Sequence, residues 1–177
     1  ADPQAVALLA NIARRSYSDP WIARAVLTST RDRSGLVLAS LVRDSAFVSE
    51  SASAKIDLLG RLATVVGARG DETEIAKLVQ LLTAAEPDGS WWRMAALTGF
   101  AQGLPRSSGS MGKTNLNRLL THPPEALAAA VKPLGDVLDQ STRLALASDS
   151  PTNDRIAAVR LLAYRKPDEA FAAYERL

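Results

Sequence analysis

Few residues in this chain of 177 are equipped for chemistry, and each has a plain alternative reading. Gly109-Ser110-Met111-Gly112-Lys113-Thr114 resembles the end of a phosphate-cradling glycine loop, in which backbone amides and a lysine hold an anion. The full loop needs a glycine five positions before Gly112, where Ser107 stands, and a buried strand just ahead of it. The preceding segment, Trp91–Gly103, has helical spacing instead, so a flexible polar loop is expected. His122 is the only histidine and sits in Thr121-His122-Pro123-Pro124, away from any cluster of acids, which reads as an exposed loop. Asp71, Glu72 and Glu74 fall where a helix should begin, and the helix dipole accounts for acids there. Asp136 and Asp139, three apart, form a possible carboxylate pair, with solvated surface as the default.

Composition narrows the field further. With no cysteine, the chain has no disulfides, thiolate zinc sites, iron–sulfur clusters or covalent haem attachment. A single imidazole excludes multi-histidine metal sites. Lys+Arg 21 against Asp+Glu 19 leaves a net charge of +2, too little for a nucleic-acid footprint. No apolar run approaches the ~18 residues of a membrane span. Catalytic, cofactor and metal residues are therefore expected to be absent, and no small-molecule substrate is evident.

The elements are helices almost throughout, because apolar residues recur at helical spacing and alternating strand patterns are missing. Ala5, Leu8, Leu9, Ile12 and Ala13 mark a first helix over residues 3–16. Ser18-Asp19-Pro20 is a start signal for a second, with Trp21, Ala25, Val26 and Leu27 on its inner side. Further helices are expected around Leu36–Val42, Ile56–Val66 ending at Gly67–Gly70, Asp71–Leu82, and Trp91–Gly103. Residues 104–124 hold prolines, glycines and serines, with one short helix near Leu116–Leu120. Helical spacing resumes at Glu125–Val131, Leu134–Leu146 and Ile156–Leu162. A last helix starts at Pro167 and reads as the first half of an unfinished pair.

A repeat underlies this order. Aligning Leu27 with Leu97 also superposes Trp21 on Trp91, Ala25 on Ala95 and Thr28 on Thr98. Asp154-Arg155-Ile156-Ala157-Ala158 has the same grammar, and Ser53–Gly60 is a weaker copy. Intervals of roughly 32, 38 and 62 residues suit antiparallel helix pairs with one inserted stretch. The pattern resembles HEAT repeats. It implies an all-α fold: an α-α superhelix, or solenoid, of antiparallel helix pairs, in one domain over 1–177 with an irregular insertion at about 104–132. More narrowly, Ser18–Leu27 followed by Leu36–Leu41 is similar to the helical repeat region of large planctomycete-type exported proteins. In that family the region lies between a propeller dehydrogenase-like domain and a c-type haem domain. The resemblance implies a periplasmic or exported scaffold excised from a larger protein, with no redox residue of its own.

The functional expectation is a non-catalytic scaffold or protein-interaction module whose partners are proteins or neighbouring domains. Its candidate interaction surface is Trp91, Trp92, Arg93, Trp21 and Arg24. Trp91 and Trp92 point ~100° apart on a helix, so one is expected in the core and the other on an adjacent repeat or exposed as an anchor. Arg14, Arg15, Arg24, Arg31, Arg33, Arg43 and Arg93 could form a basic stripe, but Asp19, Asp32, Asp44 and Glu50 interleave with them and favour local ion pairs. The alternative function is a DNA binder resembling HEAT-like alkylpurine DNA glycosylases, with Trp91, Trp92, Arg93 and an acid such as Asp88 on a concave face.

Overall fold

The computed structural model describes residues 2–30, 32–84 and 91–177; the expectations for Arg31, Asp88 and the Pro87–Ser90 break lie outside these. The described residues are helical, with no strand. In chain order the helices are α1 (Pro3–Ser16), α2 (Pro20–Ser29), α3 (Ser34–Val42), α4 (Ser45–Val48), α5 (Ser53–Arg69) and α6 (Glu72–Ala84). Then follow α7 (Trp91–Gly103), α8 (Leu116–Thr121), α9 (Ala128–Val131), α10 (Leu134–Leu146), α11 (Thr152–Leu162) and α12 (Pro167–Tyr174). Short 3₁₀ turns at Leu104–Arg106 and Glu125–Leu127 lie within the irregular stretch.

Side-chain caps set many of the starts. Asp19 accepts from the amides of Trp21 (2.8 Å) and Ile22 (3.2 Å), with Pro20 at the first helical position. Asp71 accepts from Glu74 at 2.8 Å, and Asn115 from Arg118 at 2.8 Å. Asp44 caps α4 through the amides of Ala46 (3.0 Å) and Phe47 (3.3 Å) while its other oxygen pairs with Arg14 at the end of α1. Glu74 does related work at a distance. One of its oxygens accepts from Gly35 N (3.3 Å) in the first turn of α3, and the other lies 3.3 Å from Arg69 Nε at the end of α5.

Packing runs α1 on α3, α3 on α5, α5 on α7, α7 on α11 and α11 on α10, with α6 touching α3, α5, α7, α9 and α10. The α5–α7 contact is the closest. A Cβ built on Gly99 would lie 1.9 Å from Gly60 O, and one on Gly103 would lie 2.3 Å from Thr64 O. Thr64 Oγ1 stands 2.9 Å from both Gly60 O and Gly99 O, sharing its one proton between the two helices. Neighbours surround α7, so both consecutive tryptophans are buried, Trp91 at 7% and Trp92 at 6% exposure. Of the two alternatives expected for the second indole, exposure as an anchor is therefore excluded for this pair.

Four inner faces also differ from their expected positions. α1 turns Ala10 and Ala13 inward and leaves Leu8 and Ile12 exposed; small residues let it approach α3 closely. On α2 the buried residue is Val26, while Ala25 and Trp21 are exposed. Leu36 and Ile156 are likewise outside. The superposed pairs Trp21/Trp91 and Ala25/Ala95 therefore occupy opposite environments.

The stretch after α7 is more integrated than a flexible loop. Leu104, Leu116, Leu119, Leu127 and Val131 enter the core. α5 ends on Gly70 in the left-handed conformation (φ 63°). Ser108 N then donates to Ala68 O (3.0 Å) and Met111 N to Gly70 O (3.4 Å), supplying partners for carbonyls the helix leaves open.

Two outcomes test this reading. Gly99→Ala is expected to destabilise the fold by about 2–4 kcal/mol, since the backbone of α5 must move away. Gly135→Ala meets nothing within 4 Å and is expected to gain up to about 0.5–1 kcal/mol by helix propensity; urea unfolding measures both. The second concerns pH. The Arg14 hydrogen bond, then the Phe47 amide, hold the Asp44 carboxyl below its ordinary range. A depressed folded pKa stabilises above the unfolded value near 3.9. That contribution is lost as pH falls through the folded value. The stability difference between wild type and Asp44→Asn should therefore narrow as pH falls below about 4.

Candidate interaction groove

Of the five expected surface residues, two remain at the surface. Arg93 is buried at 6% exposure beside Trp91 and Trp92, and its Nη1 lies 3.5 Å from Gln140 Oε1 on α10. Burial holds its guanidinium below the usual arginine range. Trp91 Nε1 donates to Val48 O at 3.0 Å. These three tie α7 to its neighbours. Trp91, Trp92 and Arg93, which the DNA-binding alternative placed on a concave face, are buried.

Trp21 is 77% exposed, and the Arg24 guanidinium sits 6.0 Å from its ring centroid one turn later. Asp19 and Pro20 force the chain to enter α2 at this point, which leaves the indole in the first turn, clear of the contact that buries Val26. Opposite stands α5, whose Asp57 and Arg61 pair at 2.8 Å across one turn. Between the two helices runs an open groove of about 310 Å³. Leu27 and Leu58 form its apolar floor, Trp21 and Arg24 one wall, and Asp57 and Arg61 the other. Tyr17 closes one end.

Beneath Tyr17 lies a residue that charge alone assigns to solvent. Lys55 is buried, its Nζ 5.3 Å from the Tyr17 ring and 5.1 Å from the Phe47 ring. It donates to Phe47 O (2.7 Å) and Glu50 O (3.0 Å), satisfying carbonyls at the end of α4. Tyr17 and Phe47 meet edge to face at 5.8 Å. The end wall of the groove is thus fixed from below.

The remaining candidates have local duties. In the 109–114 loop the amides of Met111, Gly112 and Thr114 donate to the carbonyls of Gly70, Gly109 and Leu104 rather than converging on a common point. His122 is exposed and its Nδ1 lies 2.9 Å from Thr121 Oγ1. Asp139 accepts from Arg165 Nη1 (2.7 Å). Arg14 pairs with Asp44 and Arg33 lies 3.7 Å from Asp32, so the basic stripe is divided by acids, as expected. No group of three or more potential metal ligands occurs among the described residues, and no described helix is long and apolar enough to cross a membrane.

What the fold and groove define is an all-α chain of packed helices with one aromatic–cationic groove. Comparison with family models, curated proteins and solved structures finds no match.

The two kinds of tryptophan should separate by mutation. Trp21→Ala is expected to change stability by no more than about 0.5 kcal/mol, whereas Trp92→Ala should cost about 3–5 kcal/mol. Chemical denaturation of the two variants decides it. A large loss at Trp21 would make it a fold residue.

Proposed function

We propose that this chain is a non-catalytic helical-repeat scaffold, a HEAT-like α-α superhelix that holds protein partners at the groove between α2 and α5. The observation that carries the reading is the indole of Trp21. Leaving so large an apolar group in water gains nothing for the fold, and tryptophan and arginine together are the side chains most enriched where binding energy concentrates. Polar groups elsewhere support the same view. Asp44, Glu74, Lys55 and Arg165 are committed to helix ends or ties between helices.

The superhelical arrangement draws support from packing order and surface. Alternate helices α1, α3, α5 and α7 contact in succession, as stacked pairs require. The accessible surface is 9561 Å², against ~8,300 Å² for a compact monomer of this size.

A peptide library displayed against wild type, with Trp21→Ala as the counter-selection, tests the interaction role. Sequences should emerge that bind wild type and lose at least about tenfold in affinity for the variant, roughly 1.4 kcal/mol. A library in which every binder ignores Trp21 refutes the groove. Small-angle scattering tests the shape: a radius of gyration clearly above the ~16 Å of a compact chain of this length is expected.

A further inference from the structure

The chain carries a surface that complements its own groove. On α12, Ala170 and Ala173 are buried, which fixes the inner face of the helix. At 100° per residue, Asp168, Phe171 and Glu175 fall on the opposite face, with Tyr174 beside them. Phe171 is 64% exposed. Neither Asp168 nor Glu175 makes an ion pair among the described residues. The helix is held in place from its flank: Arg165 pairs with Asp139 of α10 at 2.7 Å and with Glu169 of α12 at 2.8 Å. An acidic ridge with an aromatic at its centre is thus presented beside α10.

The geometry points to α12 of a second copy as the occupant of the groove, an inference that rests on the groove being an interaction surface. The ridge offers Phe171 between two carboxylates. The groove offers Trp21 over the Leu27–Leu58 floor, with Arg24 and Arg61 on opposite walls. Ionic side chains lining the groove are Arg24, Arg61 and Asp57, net +1, and those of the ridge are Asp168 and Glu175, net −2. Opposite charge steers the approach, and contact between the rings of Phe171 and Trp21 desolvates both. The two surfaces are different, so the contact is heterologous. Each copy that docks its ridge keeps a free groove, and association continues head to tail as an open chain.

Sedimentation of the full chain from about 10 μM to 1 mM tests this. Wild type is expected to rise from monomer mass past dimer mass with concentration, and added salt should weaken the rise. Trp21→Ala and Phe171→Ala should each remain monomeric while keeping the wild-type helical spectrum. An equimolar mixture of the two should form a dimer and nothing larger, because one intact ridge meets one intact groove. Arg24→Glu should abolish association and Arg24→Glu with Glu175→Arg should restore part of it. A wild type that stays monomeric throughout overturns the inference, as does a mixture that stays monomeric or single variants that associate like wild type. If wild type is monomeric yet the displayed library yields Trp21-dependent peptides, the groove stands as an interaction surface and its occupant is a foreign segment.

Discussion

The contact on which the other packing depends is the backbone-to-backbone approach of α5 and α7. Gly67, Gly99 and Gly103 sit where the facing backbone leaves no room for a side chain, and Thr64 bridges the two helices with one hydroxyl. From this pair the rest extends outward: α3 against α5 and α1 against α3, α11 against α7 and α10 against α11, with α6 touching both α5 and α7. Enclosure of α7 is a direct result. With neighbours around it, the helix buries two consecutive tryptophans and an arginine that a half-exposed helix would have to show.

The proposed function rests on a contrast between two tryptophans in similar sequence settings. Trp21 and Trp91 both occupy the first turn of a helix and both precede an alanine four residues on. One is anchored by a hydrogen bond to Val48 O and closed over. The other stands in water over an apolar floor, with a guanidinium at its face. Position in the stack, rather than local sequence, separates a structural indole from an interacting one.

That contrast also marks how far the sequence was legible. Helix positions were readable because capping chemistry is local: Asp19-Pro20, Asp71 and Gly70 announce starts and stops whatever surrounds them. The inward faces of α1 and α2 were less so: α1 carries two adjacent apolar rows, Val6-Leu9-Ala10-Ala13 and Leu8-Ile12, and only its packing partners select the first. Burial of Lys55 depends on Tyr17 and Phe47, which come from other helices and give no local sign. The groove was half visible, as Trp21 and Arg24; its second wall on α5 was not. The Gly99-x-x-x-Gly103 spacing was a readable signal of close packing, but one of backbone approach and not of chemistry.

The clasp of residues 107–111 over the end of α5 has a kinetic meaning. Ser108 and Met111 bond to carbonyls some forty residues earlier in the chain, at the carboxyl end of α5, so that α6 and α7 fall between the two ends of the clasp. α5 cannot fray from its carboxyl end without first releasing the clasp, and the clasp is seated on the same glycine-lined pair. α5, α7 and residues 107–111 therefore form one cooperative block, while α1 and α12 at the periphery open more readily. Local unfolding begins at the outer helices, next to the groove and the ridge, and reaches the centre last.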